Sequence, residues 1–314
     1  MRGKFKTQGP GTPLDGPVPP AMSTDRSRDA ETQIALRHTL EALKLTAPLA
    51  DWAPLAGGRS NLIWRVGEKD RVLVAKLFRT DKTNPLFPND PSAEALVLDW
   101  LDGTQIAPRI RARANTALGI CILYDLAEGR AWSADSAPVA RLLSQLHKFS
   151  PPHPLRSTPD GSAALAADAE RIIDLCAPGD MRDVLLGARP ETDPVAPQNA
   201  QCLLHGDPVP GNIIVTDKGP VLIDWQCPAT GDPTEDIALF LSPAMQILYR
   251  GSALDNDERD AFLTAYGNPA VTRRYRLLAP WYHWRMAAYC LWRGAENDPQ
   301  EARAFKAELD ALAR

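Results

Sequence analysis

No apolar run in the 314-residue sequence approaches the roughly 20 residues that a bilayer-spanning helix requires, so no membrane partner is expected. Nor does an apolar core follow the basic residues of the opening "MRGKFKTQGPGTPLDGPVPP", which therefore lacks the pattern of a secretory signal. Disulfide and zinc frameworks are missing too. The five cysteines (Cys121, Cys176, Cys202, Cys227 and Cys290) are odd in number, scattered and without C-x-x-C spacing. They fit reduced thiols, and a cytoplasmic location is expected. Excess positive charge is absent: a formal net charge of −4 argues against a general nucleic-acid binder, which would carry a basic patch or a high pI. With only five histidines, the chain is also poorly supplied for a histidine-ligated metal hydrolase.

What is present is ordinary for a globular protein, with 44% apolar and 24% charged residues, and the length suits two lobes sharing a cleft. Residues 1–28 read as a disordered, Pro/Gly-rich leader containing an internal Met22. From about residue 29 to 45, Ile34, Leu36, Leu40 and Leu43 form a broad helical stripe. Two β-rich runs, "SNLIWRV" and "RVLVAKLF", flank the turn-like "GEKD". A helix follows at "PSAEALVLDWL", with Asp90 at the N-cap and Pro91 at its first position. "LGICILYD" closes this first part as a strand. Beyond it, Val139, Leu142, Leu143 and Leu146 have the spacing of a core-facing helix, and "SAALAADAERIIDLC" reads as another, capped by Ser162. "NIIV" and "PVLID" form a hairpin, and the last 80 residues read as helical and aromatic-rich. The expected fold class is α+β: a small mixed lobe over residues 29–125, and a larger, mainly helical lobe over 126–314.

The chemistry concentrates in "LLHGDPVPGNIIV" and "VLIDW". Asp207 and Asn212 share one loop, and the hairpin after Asn212 folds Asp224 back towards them. Two carboxylates and an amide oxygen are hard donors of the kind Mg²⁺ prefers. A separate signal lies in "VLVAKLF", where Lys76 shares a strand face with Val72, Val74 and Phe78. An ammonium on so apolar a face needs a partner, and Glu94 in the following helix is the natural one.

Taken in order, His205, Asp207, Asn212, Asp224, Trp225 and Asp236 closely resemble the catalytic and metal-binding segments of the aminoglycoside phosphotransferase and choline kinase superfamily. The resemblance implies a protein-kinase-like bilobal fold, with ATP and Mg²⁺ as cofactors. Asp207 would take the proton of the attacking hydroxyl, and Asn212 and Asp224 would ligate Mg²⁺. His205 and Asp236 would brace the loop. Lys76 and Glu94 resemble the kinase pair that holds nucleotide phosphates. "GGRSN", with Gly57, Gly58, Ser60 and Asn61, resembles a short nucleotide loop, and "LYDLAEG" the connector that pairs with adenine. Pro208 and Pro210 bracket Val209 where the family often carries Leu-His before Pro-Gly-Asn, and Pro208 removes a backbone donor immediately after Asp207.

The acceptor is expected to be a small alcohol. "APWYHWRMAAYCLWRGAEN" resembles the aromatic helix lining the choline pocket of choline kinases, which points to an amino alcohol such as choline or ethanolamine. Trp281 and Trp284 are its candidate cage residues, with ordinary helix packing as the alternative. Asp232, with Glu235, is a candidate for meeting amines of an aminoglycoside or amino sugar. Three other classes compete. An ATP-binding pseudokinase is disfavoured by the intact set Lys76, Glu94, Asp207, Asn212 and Asp224. A protein kinase is disfavoured by "DWQ" in place of D-F-G and the lack of A-P-E, and a metal-dependent hydrolase by the shortage of ligands. Oligomeric state stays open.

Overall fold

The computed structural model describes residues 26–55, 60–79, 83–199 and 201–313. The leader up to residue 25, together with Gly57 and Gly58, therefore lies outside the described residues. Helix α1 (Arg26–Ala42) starts inside the stretch expected to be leader, and Asp29 in its first turn suits the positive end of the helix dipole. Its packed stripe is narrower than expected. Leu36 and Leu40, one turn apart, are fully buried, whereas Ile34 is 57% and Leu43 51% exposed. Ile34 falls on the opposite side of the helix, and Leu43 follows its last residue.

Strands β1 (Asp51–Pro54), β2 (Leu62–Gly67), β3 (Val72–Leu77), β4 (Ile110–Thr116) and β5 (Gly119–Asp125) form one antiparallel sheet in the order β1-β2-β3-β5-β4. Helix α2 (Pro91–Trp100) enters between β3 and β4, and its Asp90 cap accepts from the Ser92 and Ala93 N–H groups. Period-two alternation splits β3 between two cores. Leu73, Ala75 and Leu77 pack with Leu36 and Leu40, while Val74 and Phe78 join the larger core with Val97, Leu98 and Ile122. Lys76 lies on that second face, buried, in register with Ile63 and Ile122.

The remainder is mainly helical. It runs β6 (Arg130–Ala131), α3 (Ser136–Leu146), β7 (Arg156–Ser157), α4 (Ser162–Ile173), α5 (Asp180–Gly187), β8 (Cys202–Leu204), β9 (Ile213–Thr216), β10 (Gly219–Leu222) and β11 (Ala229–Gly231). Helices α6 (Thr234–Leu241), α7 (Pro243–Arg250), α8 (Asn256–Tyr266), α9 (Pro269–Trp292) and α10 (Pro299–Leu312) complete it. Ser162 is not the cap of α4. Gly161 holds that position, and the Ser162 hydroxyl instead exchanges hydrogen bonds with the backbone of Val195, fastening the 188–199 segment to the helix.

Two three-stranded sheets, β10-β9-β6 and β7-β11-β8, bracket the functional segments. The loop 205–212 joins β8 to β9, and the segment 223–228 joins β10 to β11, so paired strands anchor both ends of each. Among the described residues no helix is long and apolar enough to cross a membrane, and all five cysteines are free thiols.

Candidate active site

The loop after β8 is set by backbone geometry first. Gly206 adopts φ +81°, and a Cβ there would sit 2.2 Å from the Cys227 carbonyl, so no other residue fits without moving the 223–228 segment. Asp236, fully buried in the first turn of α6, accepts from the His205 N–H at 2.8 Å and the Gly206 N–H at 2.9 Å. His205 faces Ile223 O through Nε2 at 3.0 Å, and its Nδ1 accepts from the Asp207 N–H at 3.2 Å. These partners select the neutral tautomer protonated on Nε2. The ring also packs edge-on against Trp225, whose indole N–H donates to Leu222 O.

A single 3₁₀ turn over Pro210–Asn212 then folds Asn212 back. Its Nδ2 donates to the backbone oxygen of Asp207 at 2.9 Å and to Oδ2 of the same residue at 3.1 Å. With the amide nitrogen so committed, its oxygen is left to face a ligand. The Ile223 N–H donates to Asn212 O, which brings Asp224 alongside. Asp224 has φ +62°, a left-handed conformation that aspartate tolerates better than most residues. Its Oδ1 meets Lys76 Nζ at 2.5 Å, and the same ammonium meets Glu94 Oε2 at 2.5 Å.

Burial alone would lower the Lys76 pKa, but Asp224 and Glu94 together outweigh it and hold the ammonium well above its ordinary value. For Glu94 burial dominates and the second carboxylate adds to it, so its pKa is pushed up to about 7 against the pull of Lys76. Two carboxylates, Glu94 and Asp224, thus share one ammonium, and Asp207 lines the cleft with Asp224. That imbalance, with the oxygen donors of Asp207, Asn212 and Asp224, fits a divalent cation that keeps phosphate and water among its ligands. Among the described residues there is no cluster of three His, Cys, Asp or Glu side chains shaped to hold a metal by protein groups alone.

Burial lowers the His205 pKa below 6.5, with a smaller contribution from Lys76. The unfolded chain takes up this proton at pH 6.5 and the folded chain resists it. The stability tied to His205 is therefore complete above pH 6.5 and is lost as pH falls through the lowered value. Urea unfolding at pH 7.5, 6.5 and 5.5 should show the wild type losing more stability over the last step than His205→Gln. Equal losses would mean that the ring is not held neutral.

Asp207, Asn212 and Asp224 line a cleft of about 190 Å³. Ser60, Asn61 and Gln226 stand on the side of the five-stranded sheet, and Phe87, Tyr249, Tyr289 and Arg293 on the helical side. The phosphotransferase enzyme family profile matches residues 51–278, well over half of the sequence, including Lys76, Glu94, Asp207, Asn212, Asp224 and Asp236. The chain belongs to this family. It is a small-molecule phosphotransferase. A choline/ethanolamine kinase family protein from Mesorhizobium loti superposes with a TM-score of 0.59 at 17% identity, over 90% of this chain and 98% of that one. An aminoglycoside phosphotransferase from Streptomyces rimosus gives 0.52 at 21% identity, over 81% and 98%. Amicoumacin kinase, solved with AMP-PNP, Ca²⁺ and amicoumacin, gives 0.58 at 14% identity, over 92% and 96%. At these identities the likeness is one of fold. No curated protein sequence matches the chain.

Several expected site residues of this phosphotransferase fall elsewhere. Trp281 and Trp284 do not reach the cleft: their indole N–H groups donate to Thr192 Oγ1 and Leu185 O, and Arg189 lies over both rings. They dock α9 against α5 and the segment after it. Asp232 is likewise a structural group, accepting from the Thr234 N–H and pairing with Arg274 Nε at 2.5 Å. Asn61 lines the cleft, but its amide is engaged by Asn89, Gln226 and the Arg79 N–H. In the connector, the N–H groups of Asp125 and Leu126 are taken by Arg109 O and Val72 O. Conversely, Asn84, Phe87, Tyr249 and Arg293 line the cleft unanticipated. Helical phase held the signal for α9: at about 100° per residue, Tyr289 and Arg293 share a face that Trp281 and Trp284 do not.

Proposed function

We propose that the protein transfers the γ-phosphoryl group of ATP to a hydroxyl of a small molecule. The convergence of Asp207, Asn212 and Asp224 on one cleft, with the buried Lys76 paired to Asp224 behind it, carries this reading. Asp207 accepts the proton of the attacking hydroxyl. The acceptor oxygen bonds to phosphorus as the bond to the ADP oxygen breaks. Lys76, oriented by Glu94, meets the nucleotide phosphates, and Ser60 approaches them from the residues just before β2. Asn61 ties the start of β2 to Gln226, and adenine pairing falls to Ala127 and Glu128. Mg²⁺ would be held by Asn212 and Asp224 and would neutralise phosphate charge. His205 and Asp236 keep the loop rigid, so the base needs little reorganisation during transfer.

An amino alcohol such as choline or ethanolamine is a second reading. It rests on the ring faces of Phe87, Tyr249 and Tyr289, since Trp281, Trp284 and Asp232 are engaged elsewhere. ADP formation from ATP should be followed across amino alcohols, aminoglycosides, macrolides, homoserine and sugars. Acceptor-dependent turnover that disappears on chelating Mg²⁺ is the expected result. ATP binding without turnover of any acceptor would instead make the protein a nucleotide-binding regulator.

A further inference from the structure

Tyr289 and Arg293 lie one helical turn apart at the end of α9, and both face the cleft that holds Asp207. The tyrosine is held from three sides. Its ring packs edge-on against Phe87 at 5.1 Å and stacks with Trp292 at 5.7 Å. Its hydroxyl accepts from Asn84 Nδ2 at 2.8 Å. The Asn84 amide cannot turn over, because its oxygen accepts from both the Leu86 and Phe87 N–H groups. The Tyr289 oxygen is therefore an acceptor towards Asn84, and its own proton is left to donate into the cleft. Burial pushes the Tyr289 pKa up to about 12, which keeps that proton on the oxygen at neutral pH.

Arg293 is anchored from behind. Its Nε and Nη2 donate to Glu301 Oε1 at 3.3 and 3.1 Å, which fixes the guanidinium plane. Its Nη1 has no hydrogen-bond partner among the described residues. Of the described side chains lining the cleft, Arg293 is the only basic one, and Asp207 and Asp224 are the only carboxylates. Both carboxylates belong to the phosphoryl-transfer machinery. Among the described residues a polycationic acceptor would find no further counter-charge there, and a quaternary ammonium would meet the like charge of Arg293.

We infer that the acceptor is a short alcohol that also carries a carboxylate, with its hydroxyl between Asp207 and the Tyr289 proton and its carboxylate on Arg293. This rests on the phosphoryl-transfer reading and narrows its acceptor. A guanidinium offers a carboxylate a directional, charge-assisted hydrogen bond. The apolar surface of Phe87 and Tyr289 then covers the short chain between the two ends. Selectivity follows by repulsion as well as attraction, since the arginine that holds the acid disfavours a cation in its place.

The test compares ADP release from Mg–ATP by the full-length protein with L-homoserine, 4-hydroxybutyrate, 4-hydroxybutyramide, choline, ethanolamine and kanamycin. Slow ATP hydrolysis without an acceptor serves as the control. At least one hydroxy acid should exceed choline, ethanolamine and kanamycin in kcat/KM. The acid should also exceed its neutral amide by about 10- to 100-fold, the effect of one charged hydrogen bond. Arg293→Met should raise KM for the acid by a similar factor, and by more than it lowers kcat. If that variant does not fold, the wild-type ratio of acid to amide decides alone. Preference for a cationic acceptor, equal use of acid and amide, or hydrolysis with no response to any hydroxy acid would each overturn the acceptor assignment while leaving phosphoryl transfer intact. A uniform fall in kcat for Arg293→Met, water included, would overturn it too and move Arg293 to the phosphoryl group. Absence of both hydrolysis and nucleotide binding would remove the phosphoryl-transfer reading itself, and the acceptor assignment with it.

Discussion

Replacing Asp207 with asparagine is expected to lower kcat about 10³-fold, within the range typical for loss of a positioned general base. That corresponds to about 4 kcal/mol of transition-state stabilisation. The substitution is isosteric and spares the backbone hydrogen bonds of this residue. The Asp207 N–H still donates to His205 Nδ1, and the carbonyl still accepts from Asn212. Thermal stability and nucleotide affinity should therefore change little, and KM for the acceptor should stay within about threefold, because the lost interaction belongs to the transition state. Steady-state ADP formation and nucleotide titration on the same preparation separate these quantities. Loss of nucleotide affinity in step with kcat would mean that Asp207 organises the phosphates rather than the hydroxyl. Undiminished turnover would remove it from the mechanism.

Lys76 shows how local pattern became legible at a distance. Period two in "VLVAKLF" put the lysine on a buried face, and the cost of burying an ammonium demanded a carboxylate. Glu94 meets it at 2.5 Å. Asp224 as its second partner was not foreseen, because that contact spans 148 positions and depends on how the two parts of the molecule meet. Caps, hairpins and buried stripes such as Asp90, "NIIV–PVLID" and Val139 to Leu146 were readable for the same local reason. The acceptor side was not. Trp281 and Trp284 look like a binding cage by composition, yet their indole N–H groups need buried acceptors and find them on Leu185 and in the loop at Thr192. Asn84 and Phe87 carry no motif at all. They matter because the segment before α2 crosses to α9, a tertiary event with no periodic signature in the chain. Asp232 misled in a similar way, since an exposed acid in a loop and a buried acid paired with an arginine 42 positions away look alike in sequence.

The largest structural effect is expected at Asp236. Its carboxylate is the acceptor for two consecutive backbone N–H groups, His205 and Gly206, and for His147 Nε2 at 3.1 Å, whose other nitrogen meets the Tyr266 hydroxyl at 2.7 Å. Burial alone would raise its pKa, but His147 and the Gly206 N–H outweigh it and hold the carboxyl below 3.8. Its contribution is therefore complete above pH 3.8 and is lost as pH falls through the lowered value. Asp236→Ala strands these donors in a dry interior, and about 3–5 kcal/mol of stability should be lost, the range seen when a buried charged partner is removed. At this chain length the melting temperature should drop by roughly 6–15 °C. Asp236→Asn keeps one acceptor oxygen but turns an amide NH₂ towards a remaining donor, so it should fall between alanine and wild type. Turnover should fall in both variants, through kcat more than KM, because the loop that fixes Asp207 loosens while the acceptor wall on α9 is untouched. A melting temperature within about 2 °C of wild type for Asp236→Ala would show that water or loop movement satisfies those donors. The rigidity assigned to the catalytic loop would then have to come from His205 and the 3₁₀ turn alone.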